Sequence, residues 1–215
     1  DFTFRIRSDI PLTGGLGSSA SAIVAGLLAA DHLFELDVDL LACATAIEGH
    51  PDNVAAALYG GFVICADAQA VRFEPPTGLE ALAIVPEQAV RTSEARSALP
   101  ELVRMEQAVF NVAHGALLTL GLARGDWDLV ARGLRDSLHE HQRSHLFPRS
   151  YELAQRAREL GALGATISGA GPTVLMWCFY EHTGAVVEAL RPEIDGWATL
   201  LRAPFEAQGA YVGEL

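Results

Sequence analysis

The segment Pro11-Leu12-Thr13-Gly14-Gly15-Leu16-Gly17-Ser18-Ser19-Ala20-Ser21 restricts the possible folds of this chain more than any other stretch. Its glycines let the backbone take left-handed angles and approach a bound group closely. Ahead of it, Phe2, Phe4 and Ile6 alternate with Thr3, Arg5 and Arg7, the period of two of a half-buried strand. Behind it, an Ala- and Leu-rich run from Ser19 to Leu36 favours helix throughout. The predicted unit is therefore strand, glycine loop, helix. A helix start leaves N–H groups unpaired and carries the positive end of the dipole. Ser18 and Ser19 add hydroxyls that can bond phosphate oxygens or ligate Mg²⁺. The bland alternative is a tight turn with serine as the helix cap. No Lys follows the glycines, so this is not a Walker A loop, and the spacing is not the Rossmann one.

Charge excludes one class of partner. With 15 basic against 27 acidic residues, a net charge of −12, the chain has no cationic excess for nucleic acid. Backbone dipoles and Mg²⁺ can still hold a nucleotide's phosphates in an acidic protein. The longest apolar stretch, Ala20 to Ala30, stops at Asp31 and His32 and is too short to span a bilayer. Residues 1–10 lack the basic start and apolar core of a signal peptide. Cys43, Cys65 and Cys178 are scattered, with neither disulfide nor zinc spacing, as expected of free thiols in a reducing cytoplasm.

Further helices are expected over residues 39–48 with Asp39 as N-cap, 53–58, 101–123, 126–139, 151–160 and 183–190. Strands are expected over 62–66, 71–73, 82–85, 165–168, 174–179, 197–202 and 210–212. Turn chemistry concentrates in Glu74-Pro75-Pro76-Thr77-Gly78, the best domain boundary. The class is α+β, with antiparallel strands and helices packed on one face.

Two strings resemble motifs of the GHMP small-molecule kinase family. Pro11 to Ala20 is similar to the family's second motif, and Ile167-Ser168-Gly169-Ala170-Gly171-Pro172-Thr173-Val174-Leu175 to its third. Taken alone, the latter could be a plain hairpin turn. Within the family, Glu48-Gly49-His50-Pro51-Asp52-Asn53 resembles the segment of homoserine kinases. A Glu at a helix end is a hard oxygen donor suited to Mg²⁺, and His50, Asp52 and Asn53 offer groups that read a small polar substrate. Spacing alone would also permit a turn capping a short helix.

Thr92-Ser93-Glu94-Ala95-Arg96 and His139-Glu140-His141-Gln142-Arg143 resemble the segments that place two arginines on a substrate carboxylate. Guanidinium forks suit that group. Helical spacing of His139, His141 and His145 could suggest a metal, but acidic neighbours are few, so they are assigned to the surface or to support.

The resemblance implies a two-domain GHMP kinase fold. Residues 1–75 would be the remainder of a ribosomal-protein-S5-domain-2-like, nucleotide-binding part, and 76–215 a ferredoxin-like C-terminal domain. The family's first motif is not found, and the chain opens close upstream of the second, so the portion ahead of it is expected to be missing. The implied reaction is phosphorylation of L-homoserine by ATP in threonine biosynthesis. The loop Pro11–Ser21 would hold ATP, Ser19 or Ser18 with Glu48 the Mg²⁺, and His50, Asp52, Asn53, Thr92, Arg96, Arg143, Gly169 and Gly171 the substrate. Ser19, Glu48, Arg96 and Arg143 are the catalytic candidates. Alternatives are another family kinase (mevalonate- or shikimate-type) or a non-catalytic ligand-binding remnant. Expected partners are small molecules (ATP and L-homoserine) and a second copy of the chain in a homodimer, with no nucleic acid or membrane.

Overall fold

The computed structural model describes residues 3–12 and 14–213. Helix α1 (Ser18–Phe34) begins at Gly17 and stops where Glu35 turns left-handed. Helix α2 (Leu40–Glu48) is capped by the Asp39 carboxylate, which accepts the Ala42 N–H, and closes on Gly49. After α3 (Asp52–Tyr59) come β1 (Phe62–Ala66) and β2 (Gln69–Phe73), an antiparallel hairpin. Asp67 and Ala68 both take positive φ in its two-residue turn, the conformation that matches strand twist. Ala20, Val24, Leu41, Ala44, Val54 and Ala55 form the core between α1, α2 and α3.

A second sheet holds β3 (Leu79–Pro86), β4 (Gly164–Ile167), β5 (Val174–Phe179) and β6 (Ala198–Arg202) in the order β4-β5-β3-β6, every pair antiparallel. Between β3 and β4 run α4 (Thr92–Ser97), α5 (Met105–Arg124), α6 (Trp127–Gly133), α7 (Glu140–Arg143), a 3-10 turn (Ser144–Leu146) and α8 (Pro148–Gln155). Helix α9 (Tyr180–Ile194) joins β5 to β6. One face of β3 and β5 sets Leu82, Ile84, Val174 and Met176, all wholly buried, against α8 and α9. Each such side chain contributes about 1.5–3 kcal/mol by leaving water. The opposite face sets Leu79 and Trp177 against Leu122 of α5, Val130 of α6 and Leu134, with Phe62, Phe73 and Phe205 alongside.

This corrects the one-face expectation. The near-continuous burial of β3 and β5 is that of strands covered on both sides.

Other expectations change too. Of the predicted strand over 2–6, Phe2 lies outside the described residues, and 3–6 are irregular with Phe4 and Ile6 exposed. Alternation alone makes no strand unless the segment pairs with an edge, and among the described residues the β1–β2 sheet holds two strands, with 3–6 not joining it. Residues 210–212 form no strand either. Their segment crosses back over the molecule: Glu206 O accepts the Gly61 N–H, Ala207 O an Arg72 N–H, and Ala210 N–H goes to Ala57 O. Phe205 meanwhile packs on Phe62 and Trp177, with ring centroids 4.9 and 5.1 Å away. The helix expected over 126–139 ends at Gly133, the one expected over 101–123 starts at Met105, and α4 and α7 were not anticipated.

Candidate active site

Two glycine loops meet at the start of α1. At Gly15, φ is 80°, and a Cβ there would collide with the Ser168 carbonyl, so only glycine lets the loops touch. Ser168 Oγ donates to Gly15 O at 2.9 Å, tying them together. Gly17 caps α1 at φ 76° with no side-chain cap, and the helix ladder begins with Ser21 N–H to Gly17 O. The serine cap of the bland alternative is therefore absent, and the first amides of α1 are left for another acceptor. A Cβ on Gly17 would meet no protein atom within 4 Å. Gly17 lines a cleft of about 940 Å³.

Pro11, Leu12, Gly14, Gly15, Leu16, Gly17, Ser18 and Ser19 line one wall of this cleft. Thr13 lies outside the described residues. Ala20 and Ser21 fall on other sides of α1. Ala20 is buried in the helical core, while Ser21 Oγ returns to Ser18 O and its side chain lines a separate groove of about 820 Å³.

Glu48 closes α2 beside the loop, and its Oε2 accepts from Ser19 Oγ at 2.8 Å. Two hard oxygen donors thus face the cleft together, a pair that could hold a hard divalent cation. Among the described residues no group of three or more His, Cys, Asp or Glu side chains gathers to hold a metal, and the histidines of 139–145 form no such site. His50, Asp52 and Asn53 line the floor. His50 Nδ1 and Asp52 Oδ1 lie 2.6 Å apart, and the same oxygen accepts the Asn53 N–H.

Thr92 and Arg96 on α4, with His139 and Arg143 beside α7, form the far wall together with Ile167, Gly169 and Ala170. Arg143 is 8% exposed; its Nε donates to Ala95 O at 2.9 Å and an Nη to Gly169 O at 3.3 Å. Burial lowers its pKa from the ordinary value; Asp136 pulls the other way, and Arg96 adds to the lowering. Arg96 is exposed and makes no ion pair among the described residues. Two guanidiniums close enough to repel, neither in an ion pair among the described residues, suit an anion. Gly171 is off the wall: a Cβ there would press on the Phe147 ring, so its place follows from packing.

Sequence reasoning missed the support beneath Arg143. Asp136 Oδ2 accepts the N–H groups of Leu138, His139 and Glu140, and its Oδ1 accepts from Asn111 of α5. Burial raises its pKa, but these bonds outweigh that and hold it below the ordinary value. Glu140, 6% exposed, accepts the Ile167 N–H at 2.7 Å, and burial pushes its carboxyl up to about 7. Burial also lowers the His139 pKa, against Asp136. The available signal was a glycine and an aspartate, Gly133 and Asp136, inside what read as one helix.

Family models for the GHMP kinases N terminal domain and the GHMP kinases C terminal match residues 1–61 and 118–193. The homoserine kinase of Deinococcus radiodurans is 41% identical over 188 residues, 84% of this chain and 61% of that protein. A Synechococcus homoserine kinase is 40% identical over 208 residues, 93% of this chain and 66% of its own length. The chain thus spans less than two thirds of these relatives. Among solved structures, homoserine kinase from Cytophaga hutchinsonii superposes with a TM-score of 0.85 at 31% identity, covering 94% of this chain and 69% of that one.

Proposed function

This chain belongs to the GHMP kinase family, and we propose that the protein carrying it transfers the γ-phosphate of ATP to the side-chain hydroxyl of L-homoserine, giving ADP and O-phospho-L-homoserine for threonine synthesis. One observation carries this reading: the uncapped start of α1 and the Ser19–Glu48 oxygen pair share one cleft with the Arg96–Arg143 pair. A triphosphate suits the first wall and an amino-acid carboxylate the second. The names of the relatives quoted above supply the alcohol.

Phosphoryl transfer depends on positioning and charge neutralisation more than on covalent help. The α1 amides and the Gly14–Ser19 loop would bind the β- and γ-phosphates. Ser19 and Glu48 would hold Mg²⁺; the hydrogen bond between them favours Ser19 over Ser18. When bound, the ion supplies positive charge to the phosphate oxygens. Arg96 and Arg143 would take the carboxylate, with His50, Asp52, Asn53, Thr92 and Gly169 completing the substrate wall. No cleft residue is assigned as general base.

The fold would divide after residue 75. Met105, Val109 and Val112, at 77, 60 and 75% exposure, form an apolar stripe on α5 that suits a homodimer. Among the described residues no helix is long and apolar enough to cross a membrane, and the three free thiols fit a cytoplasmic protein. A substrate panel with coupled ADP detection, run on the complete protein, tests the activity. Turnover of L-homoserine over mevalonate and shikimate is expected, and preference for either of those would overturn the assignment.

A further inference from the structure

We propose that Glu140, which does not line the cleft, is a positioning residue that sets the phosphate loop from behind. This inference rests on the nucleotide-binding role proposed for that loop.

The path is short and continuous. Ile167 ends β4, the edge strand of its sheet. Ser168 N–H turns inward to Thr173 O, so the preceding N–H of Ile167 faces the unpaired edge, where the Glu140 carboxylate takes it at 2.7 Å. One residue on, Ser168 Oγ holds Gly15 O at 2.9 Å. One helical turn along from Glu140, Arg143 holds Gly169 O. Helix α7 therefore grips both sides of the residue that carries the phosphate loop, and α7 is itself fixed to α5 by Asp136 and Asn111.

A neutral acceptor would satisfy one edge N–H, whereas a carboxylate buried to 6% exposure must give up its hydration. Burial of Glu140 raises its pKa to about 7, which is the sign of that cost. The cost attaches to the charge and the anchoring to the accepting oxygen, so a neutral acceptor of the same length keeps the anchor. Because the Arg143 fork and the Glu140 anchor share α7, the carboxylate clamp and the phosphate loop are fixed to one rigid piece. The geometry sets the distance between the two substrates.

The test uses the complete protein with Glu140→Gln, Glu140→Ala and Glu140→Asp. One arm measures calorimetric affinity for adenylyl imidodiphosphate with Mg²⁺; the other measures hydrogen exchange in residues 14–19 and 167–171. Glu140→Ala is expected to weaken the nucleotide on the order of tenfold or more, as small misplacements of a binding group do. It should also speed exchange in both loops while leaving α8 and α9 unchanged. Glu140→Gln keeps an acceptor for Ile167 N–H and is expected to stay within about twofold of the parent. Should Glu140→Ala not fold, Glu140→Asp withdraws the oxygen by one methylene and should reproduce the loss. Faster exchange confined to 167–171, with residues 14–19 as protected as in the parent, would overturn the proposal. Failure of the parent protein to bind nucleotide would instead overturn the kinase reading, and the exchange arm decides the positioning by itself.

Discussion

Glu140 and Asp136 are four positions apart and pushed in opposite directions, which gives the protein a pH response that can be assigned to single residues. The folded carboxyl of Glu140 titrates near 7, above its unfolded value, so the folded state binds the extra proton. The native state is therefore favoured at low pH, and that advantage is lost as pH rises from about 4.5 to about 7. The whole effect is about 3 kcal/mol. Denaturant unfolding at pH 5 and pH 8 should show Glu140→Gln flattening this slope and gaining on the parent at the higher pH. Asp136, held low, acts in the acid range instead, stabilising above its unfolded value and ceasing to do so as pH falls through its folded one.

The two arginines separate by a different measurement. Arg96→Leu should leave stability unchanged and raise the Michaelis constant for homoserine, a loss of about 2–5 kcal/mol for a desolvated charge pair, with ATP spared. Arg143→Leu should do the same and also cost about 2–4 kcal/mol of stability, because Ala95 O and Gly169 O lose their donor. Raised constants for ATP alone would assign both residues to the nucleotide. That Ser19, Glu48, Asn53, Arg96 and Arg143 would share one cleft could be read from sequence because their neighbours form motifs. Ala20, Ser21 and Gly171 were misplaced because which side of α1 they face, and the Phe147 ring, are set by packing.

Elements with a local cause were legible, and those that depend on a distant partner were not. Asp39 caps α2 within three residues, and Gly60 and Gly61 break the chain just before β1, so both element starts fall where expected. The Asp136 cap needs Asn111 from α5, 25 residues earlier, and the extended reading of 210–212 fails for want of a strand beside it. Asp136 offers the sharper test of how α7 is built. Asp136→Ala strips three backbone N–H groups of their acceptor and should cost about 2–4 kcal/mol by denaturant unfolding. Exchange at Leu138 to Glu140 should quicken well before that of β5. Equal protection at those amides would mean that neighbouring packing, not the carboxylate, holds the turn.

For the molecule as a whole, the apolar stripe on α5 is the exposed surface proposed to be covered in a homodimer. Val112→Asp should convert a dimer to a monomer, read as halved mass by light scattering, and lower the unfolding stability by what self-association had contributed. A parent protein already monomeric at high concentration would rule out the dimer. The segment from Ala203 to Ala210 has another kind of consequence. It lies across both sheets, bonding β3, Gly61 and α3 in turn, with Phe205 in the aromatic cluster between them. Synthesis runs from the N-terminus, so α1 to β2 are made long before the residues that fasten them to the second sheet. The contact surface of this early part is completed only when Trp177 of β5 and then Phe205 have emerged. During that interval Phe62 and Phe73 are open to chaperones or to unwanted association, an exposure set by the order of translation rather than by the finished fold.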